Sequence, residues 1–338
     1  MSVSLSSRPS PAGSPTPFER PRPGPGTVFV AFSKDPNPKV IALTMRTRGR
    51  TPEIARKLSL TDRAAAQIGR EAGALQQLHG RHALGDLLPT VPVVLHHDER
   101  SLTTNALPGR SLNAAYHAFG HTSSRRSVTD DFALVGGWLA TFQAATAGQP
   151  GAIDLDRGRS RTLGERFAGR PQLDEDLTRL AAVHARLRQG SVARTFVHGD
   201  FWAGNVLTRR RTVTGVVDWE FARPDDDPLH DVARFALSYS LYLDRHTRTG
   251  RAVRGHSGLI AGAPAGGISY AIDGNGWYPA LVRQFIGSAL ERLGARHVAA
   301  RDVLVAGVAA VAAEADDPDF AALHADALHQ LLADQAAA

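Results

Sequence analysis

The sequence predicts a bilobal α+β fold, a small β-rich N-lobe followed by a larger, mostly helical C-lobe. Three observations predict it. Strand-forming stretches crowd the chain before residue 107, helix-period stretches dominate after it, and Leu107-Pro-Gly109 breaks the pattern between them. At 338 residues the chain is long enough to bury a large core. The expected organisation is a disordered leader over 1–26, an N-lobe over 27–106 and a C-lobe over 107–338.

Each element follows from local composition. Residues 1–26 hold seven Pro, six Ser and three Gly, with almost nothing to bury, and read as disordered. Thr27–Phe32 and Val40–Met45 are rich in β-branched and aromatic residues and read as a hairpin around Asp35-Pro-Asn-Pro38. A basic turn, Arg46 to Arg50, follows. Glu53–Leu58 is read as a third strand, the alternative being a short helix opened by Thr51-Pro52-Glu53. Ala64, Ile68, Ala72, Leu75 and Leu78 recur at helical spacing behind Thr61, a good N-cap. Val91–His96 and Ser101–Ala106 form a further strand pair. Beyond the break, helices are predicted at 132–145, 173–188, 231–243, 278–293, 303–314 and 320–334, with short strands at 194–197 and 213–217. Val303–Val311 is apolar nearly all round and reads as a buried helix. Residues 246–269, rich in Gly, Arg and small side chains, read as a mobile insertion.

Composition excludes several classes of function. With no cysteine there is no disulfide framework, thiol nucleophile, thiolate zinc site or iron–sulfur ligation. No apolar run reaches the roughly 18–20 residues of a membrane span, and no signal-peptide core opens the chain, so a cytoplasmic protein without a membrane partner is expected. No basic run is interleaved with aromatics, which argues against a nucleic-acid partner. Residues 1–130 carry 17 basic and 9 acidic side chains, the remainder 22 and 24. That asymmetry suits an anionic ligand held mainly by the first part, and equally an unevenly charged solvated surface.

The stretch that carries chemistry is Phe196-Val-His-Gly-Asp-Phe-Trp-Ala-Gly-Asn-Val-Leu207. An apolar strand runs into a polar loop and out again, putting His198, Asp200 and Asn205 on one turn. Val216-Val-Asp-Trp-Glu220 repeats the design, delivering Asp218 and Glu220 from a second strand. Oxygen donors of this kind suit a hard cation such as Mg2+. The spacing His-x-Asp-x-x-x-x-Asn is that of a kinase catalytic loop, where the Asp receives a hydroxyl proton and the Asn holds a metal.

These residues closely resemble the aminoglycoside phosphotransferase and choline kinase family, whose fold is protein-kinase-like. Leu107-Pro-Gly-Arg-Ser-Leu112 is similar to its hinge, and Pro228-Leu-His-Asp-Val-Ala-Arg-Phe235 to the segment whose Asp, here Asp231, braces the catalytic loop. The resemblance implies a nucleotide-binding N-lobe, an acceptor site in the C-lobe, Asp200 as catalytic base and His198 as the residue orienting the loop. It implies Asn205 and Asp218 as Mg2+ ligands, assisted by Glu220, with ATP or GTP as co-substrate and a small-molecule hydroxyl as acceptor. It also calls for a lysine on the third strand paired with a helix glutamate. Lys57 and Glu71 fit that pattern, while a rival alignment leaves Thr44 in the lysine position. The family's glycine-rich phosphate loop has no counterpart, because Lys34 to Lys39 contains no Gly.

Two other classes stay open: a kinase-fold binding protein without turnover, and a metal-dependent phosphohydrolase using the same carboxylates. Asp225-Asp-Asp227 reads as a solvated loop, with a cation-binding patch as the alternative, and Trp202 and Trp219 read as packing around the loop. His230-Asp231 alone is too little for a metal-hydrolase site.

Overall fold

The structure, a computed structural model, describes residues 26–31, 37–45 and 51–337. The leader apart from Gly26, the turn residues Asp35 and Pro36, and the basic turn 46–50 lie outside them.

The first sheet consists of β1 (Thr27–Ala31), β2 (Lys39–Met45), β3 (Pro52–Ser59), β4 (Val94–His97) and β5 (Ser101–Asn105), in the order β1-β2-β3-β5-β4 with antiparallel neighbours. The strand reading of Glu53–Leu58 therefore holds, and β3 is the central strand. In its register Lys57 faces Ile41 on one side and Leu102 on the other. Helix α1 (Asp62–His79) follows β3, with Thr61 Oγ1 accepting the Ala64 N–H at 3.1 Å as its N-cap. The predicted face, Ala64, Ile68, Ala72, Leu75 and Leu78, is fully buried. A 3-10 segment over His82–Thr90, which no periodicity announced, leads back to β4.

The chain leaves this sheet where Ala106 N–H donates to Glu53 O, and enters a second sheet at β6 (Arg110–Ser111). Gly109 turns it with φ 129°, where a Cβ would collide with Thr214 Oγ1 and the Thr208 backbone. Then come α2 (Leu112–Tyr116), α3 (Arg125–Thr146), β7 (Pro150–Ala152), α4 (Arg159–Arg166), α5 (Leu173–Leu187), β8 (Ser191–Ala193) and β9 (Thr195–Val197). The loop motif separates β9 from β10 (Val206–Arg209), which pairs with β11 (Thr212–Val216) and β6, while β9 pairs with β12 (Arg223–Asp226). The chain ends in α6 (Leu229–Ser240), α7 (Gly266–Asp273), α8 (Trp277–Arg292), α9 (Ala300–Glu314) and α10 (Pro318–Ala337). This small sheet region and larger helical part form the predicted α+β class.

Helix α3 starts well before the predicted Phe132, because its first turns are polar and are opened by a Ser124 cap that apolar periodicity does not register. Helix α9 is buried on all sides, as read from its composition, and packs against α4, α5, α6 and α10. Its small residues allow this close approach: a Cβ on Gly307 would press on Ala233 and Leu237 of α6.

Two readings are corrected. Residues 246–269 are largely exposed but anchored by buried side chains, with His256 buried beside Tyr270, Trp277 and Tyr278 and tied through Nε2 to Thr122 O at 2.9 Å. Small residues there serve tight turns and the start of α7. Asp226 and Asp227 are likewise buried rather than solvated. Asp226 bridges Arg157 and Arg223, and Asp227 accepts from the backbone of Asp154 and Leu229, so this chain's own donors satisfy both.

Candidate active site

The site begins with the loop after β9. Gly199 has φ 85°, and a Cβ on it would run into Phe221 O, so only glycine lets the chain turn between His198 and Asp200. Asp231, in the first turn of α6, accepts both amides of that turn, His198 N–H at 2.7 Å and Gly199 N–H at 2.9 Å. The His198 ring is fully buried against Trp219. Its Nε2 donates to Val217 O at 2.9 Å and its Nδ1 accepts the Asp200 N–H at 3.3 Å, an arrangement that specifies the neutral Nε2–H tautomer. His198 thus joins the Asp200 loop to the strand that delivers Asp218.

Asp200 is held from two sides. Arg234, one turn beyond Asp231 on α6, donates from Nε and Nη2 to Asp200 Oδ1 at 2.9 and 2.8 Å. Asn205 Nδ2 donates to Asp200 O at 3.0 Å and lies 3.4 Å from its Oδ2. Asn205 O accepts the Val217 N–H at 3.0 Å, stitching the two motifs together. Asp218 sits at φ 71°, a left-handed conformation that costs a non-glycine residue about 1–3 kcal/mol and that surrounding contacts must hold.

Beside this loop lies a cluster of lysines and carboxylates. Lys57 Nζ donates to Glu71 at 2.8 and 2.6 Å and to Asp218 Oδ1 at 2.6 Å, joining β3, α1 and the segment after β11. Lys39 Nζ donates to Glu220 Oε2, and Arg70 Nε reaches Glu220 O at 3.4 Å. Burial works against the Lys57 ammonium, but Asp218, Glu71 and Glu220 outweigh it and hold its pKa well above the ordinary lysine value. Burial likewise opposes the Asp218 carboxylate, yet Lys57 brings its pKa below the usual range. Glu220 is pushed up to about 7 by burial and by the Asp218 charge, against the pull of Lys39 and Lys57.

Carboxylate oxygens of Glu71, Asp218 and Glu220 lie within 4.8 Å of one another. Glu71 is committed to Lys57 through both oxygens, and the remaining pair, Asp218 and Glu220, fits Mg2+, which takes one or two protein carboxylates with phosphate and water completing its shell. Asp200, Asp218 and Glu220 also line one cavity of about 550 Å³. Its far wall comes from α9, α10 and the turn between them: Val311, Glu314, Asp316, Asp317 and Phe320. Asp316 accepts from Asn37 Nδ2 at 2.7 Å and from Arg63 at the start of α1, so this turn is tied to the first sheet's side of the cavity. Glu314 accepts from Arg159 Nε at 2.9 Å.

Of the seven sequence-chosen residues, Asp200, Asp218 and Glu220 line the cavity, Lys57 and Glu71 join it through Asp218, and His198 and Asn205 hold the Asp200 loop, while Thr44 faces Ile54 three pairs from Lys57 along β2 and β3. Sequence reasoning missed Arg234, Lys39 and the α9–α10 wall. Arg234 had a visible signal, lying three residues, nearly one helical turn, after the bracing Asp231. Lys39 had the alternation of β2, and the wall had none.

No curated protein matches the chain. Among solved structures, a thermostable mutant of aminoglycoside phosphotransferase APH(4)-Ia in its apo form aligns at TM-score 0.53 with 15% identity, over 92% of this chain and 96% of that one. Its ternary complex with ADP and hygromycin B gives 0.52 at 14% identity, over 90% and 93%. The streptomycin–ATP–APH(2'')-IIa ternary complex gives 0.51 at 14% identity, over 90% and 91%. At such identity the likeness establishes the protein-kinase-like fold. Among the described residues no helix is long and apolar enough to cross a membrane. The profile described as the phosphotransferase enzyme family, APH, matches residues 44–262, and the chain belongs to that family.

Proposed function

We propose that the protein moves the γ-phosphate of a nucleoside triphosphate, ATP or GTP, onto a hydroxyl of a small molecule in a Mg2+-dependent reaction. The observation that carries this reading is the meeting of Asp200, Asp218 and Glu220 on one cavity, with Lys57 clamped between Glu71 and Asp218 beside it. Asp200 takes the proton of the acceptor hydroxyl as its oxygen bonds to the γ-phosphorus. The bond from that phosphorus to the β–γ bridging oxygen breaks, and the nucleoside diphosphate leaves. Lys57, fixed by Glu71, grips the α- and β-phosphates, and Asn205, Asp218 and Glu220 are the residues that would hold a Mg2+ ion. The bound cation supplies charge neutralisation along the phosphate chain. His198 and Asp231 act as positioning residues for the loop, and Arg234 fixes the Asp200 carboxylate. The N-lobe over 27–106 binds nucleotide and the C-lobe over 107–338 binds acceptor.

The cavity wall narrows the acceptor class. Glu314, Asp316 and Asp317 give it three carboxylates, set against Arg63, Arg223 and Arg234 in the same lining, while Phe221, Val311 and Phe320 make it partly apolar. A hydroxylated molecule carrying an amine and an apolar face complements it. Aminoglycosides, amino alcohols and amino sugars all meet that description, and two fold neighbours are complexes with streptomycin and hygromycin B.

The test is a mass-spectrometric screen for phosphate gain across hydroxylated amines, sugars and natural products with Mg2+ and ATP or GTP. An amine-bearing acceptor is expected to gain one phosphate. Asp200→Asn is expected to lower turnover by about 10²–10⁴-fold while nucleotide still binds. Undiminished turnover in that variant removes Asp200 from the mechanism. Nucleotide binding with no product points to a binding protein, and phosphate release from a monoester without nucleotide points to a phosphohydrolase.

A further inference from the structure

The β2–β3 pair brings a second lysine to the phosphate side of the site. Ile41 faces Lys57 and Lys39 faces Ser59 across the two strands. Residues two apart on a strand share a face, so Lys39 is the diagonal neighbour of Lys57, at the roughly 7–8 Å spacing across which long side chains still cooperate. Their partners agree with this. Lys57 reaches Asp218 and Lys39 reaches Glu220, two carboxylates two residues apart on the segment after β11. Lys39 and Glu220 are only 7% and 5% exposed, so the pair is desolvated.

A buried ion pair is a poor stability device, because desolvation of both charges offsets most of their attraction. The sequence adds a reason for a cation here. Between the first two strands, Phe32 to Pro38 holds no glycine, so the segment lacks the composition of a backbone-amide phosphate cradle. A lysine side chain is the other common phosphate donor, a compact ammonium on a flexible stem.

We propose that Lys39 is a second phosphate-binding residue of this site, exchanging Glu220 for the terminal phosphate of the bound triphosphate. The inference rests on the phosphotransferase reading above. When Glu220 serves as a metal ligand, Lys39 needs a new anion, since a buried ammonium without one is strongly unfavourable. The terminal phosphate is the anion that the same event brings. Lys57 keeps Glu71 throughout and stays with the inner phosphates, so the two lysines divide the phosphate chain between them.

The experiment is equilibrium binding of ATP, ADP and AMP, and the guanosine series, with Mg2+ to the full chain and to Lys39→Met and Lys39→Arg. Wild type is expected to prefer triphosphate over diphosphate. Lys39→Met is expected to lose roughly tenfold of that preference with monophosphate affinity unchanged, and Lys39→Arg to restore part of it. Where Lys39→Met folds poorly, Lys39→Gln, which keeps a hydrogen-bond donor toward Glu220 without the ammonium charge, takes its place with the same expected loss of preference. If Lys39→Met keeps the wild-type triphosphate-to-diphosphate ratio, whatever its melting temperature, Lys39 is only a structural tie and the inference falls alone. Wild type binding none of the nucleotides overturns the phosphotransferase reading and the inference with it.

Discussion

The two sides of the cavity are built differently. On the strand side, Lys39, Lys57, Glu71, Asp218 and Glu220 come from β2, β3, α1 and the segment after β11, and each charge is paired with another member of the group. On the helical side, Arg234, Glu314, Asp316 and Asp317 come from the middle of α6 and the α9–α10 turn; the first three are anchored to Asp200, Arg159 and Asn37, and Asp317 caps the start of α10 through the Phe320 N–H. Ladder register sets Lys39 and Lys57, and shared ion pairs tie them to Glu71, Asp218 and Glu220, so a change in one residue propagates to its partners. Helix packing sets the second, so its residues change with less consequence for one another. Under the proposed function the first side receives the triphosphate with its metal and the second receives the acceptor.

The largest effect that would test this contrast is on the strand side. Lys57→Ala removes a cation shared by Glu71 and Asp218 and leaves two carboxylates facing each other. It is expected to lower kcat/KM for nucleotide on the order of 100-fold and to lower the melting temperature as well, because Glu71 is buried. Lys57→Met/Glu71→Gln separates the two losses. Stability is expected to return in the double variant and nucleotide affinity is not. Equal recovery of both would mean that Lys57 supports only the fold.

A smaller effect is expected from the helical side. Arg234→Lys keeps a positive charge near Asp200 but loses the planar pair of donors that fixes its carboxylate. Steady-state kinetics are expected to show kcat lowered roughly tenfold with nucleotide KM close to wild type. A matching rise in nucleotide KM would place Arg234 with the strand side and blur the distinction.

How much of this was legible in the sequence follows the same division. Residues in short, polar, strand-bounded motifs declared themselves, because the motif fixes type and spacing together. Hence Asp200, Asn205 and Asp218 were found, and Lys57 could be set against Glu71 once β3 was read as a strand. Lys39 was hidden because one strand's alternation does not say which face meets another segment 181 residues away. Asp316 was hidden for a stronger reason. Its place beside Arg63, 253 residues earlier, depends on how α9 packs against α6 and the neighbouring helices, and no local pattern encodes that. The anchored 246–269 segment was misread because Gly and Arg content marks turns without saying whether a buried His256 fastens them.

The smallest predicted effect concerns Asp316, and it sharpens the comparison most. Its carboxylate accepts from Asn37 and Arg63 on the first sheet's side while lining the wall proposed to meet the acceptor, so it ties the helical side across the cavity. The Arg63 side chain is 69% exposed, so solvent screens this tie and its contribution to stability is expected to be below about 1 kcal/mol. Asp316→Asn keeps the shape and one acceptor oxygen, enough for one of the two donors, while removing one negative charge from the wall. An amine-bearing acceptor is therefore expected to show a KM raised about two- to fivefold, more strongly at low ionic strength than at high. The kinetic constants for nucleotide are expected to stay at wild-type values. Should nucleotide KM move as much as acceptor KM, the tie acts by holding both sides of the cavity together, and the wall is then part of the phosphate machinery and not a separable acceptor surface.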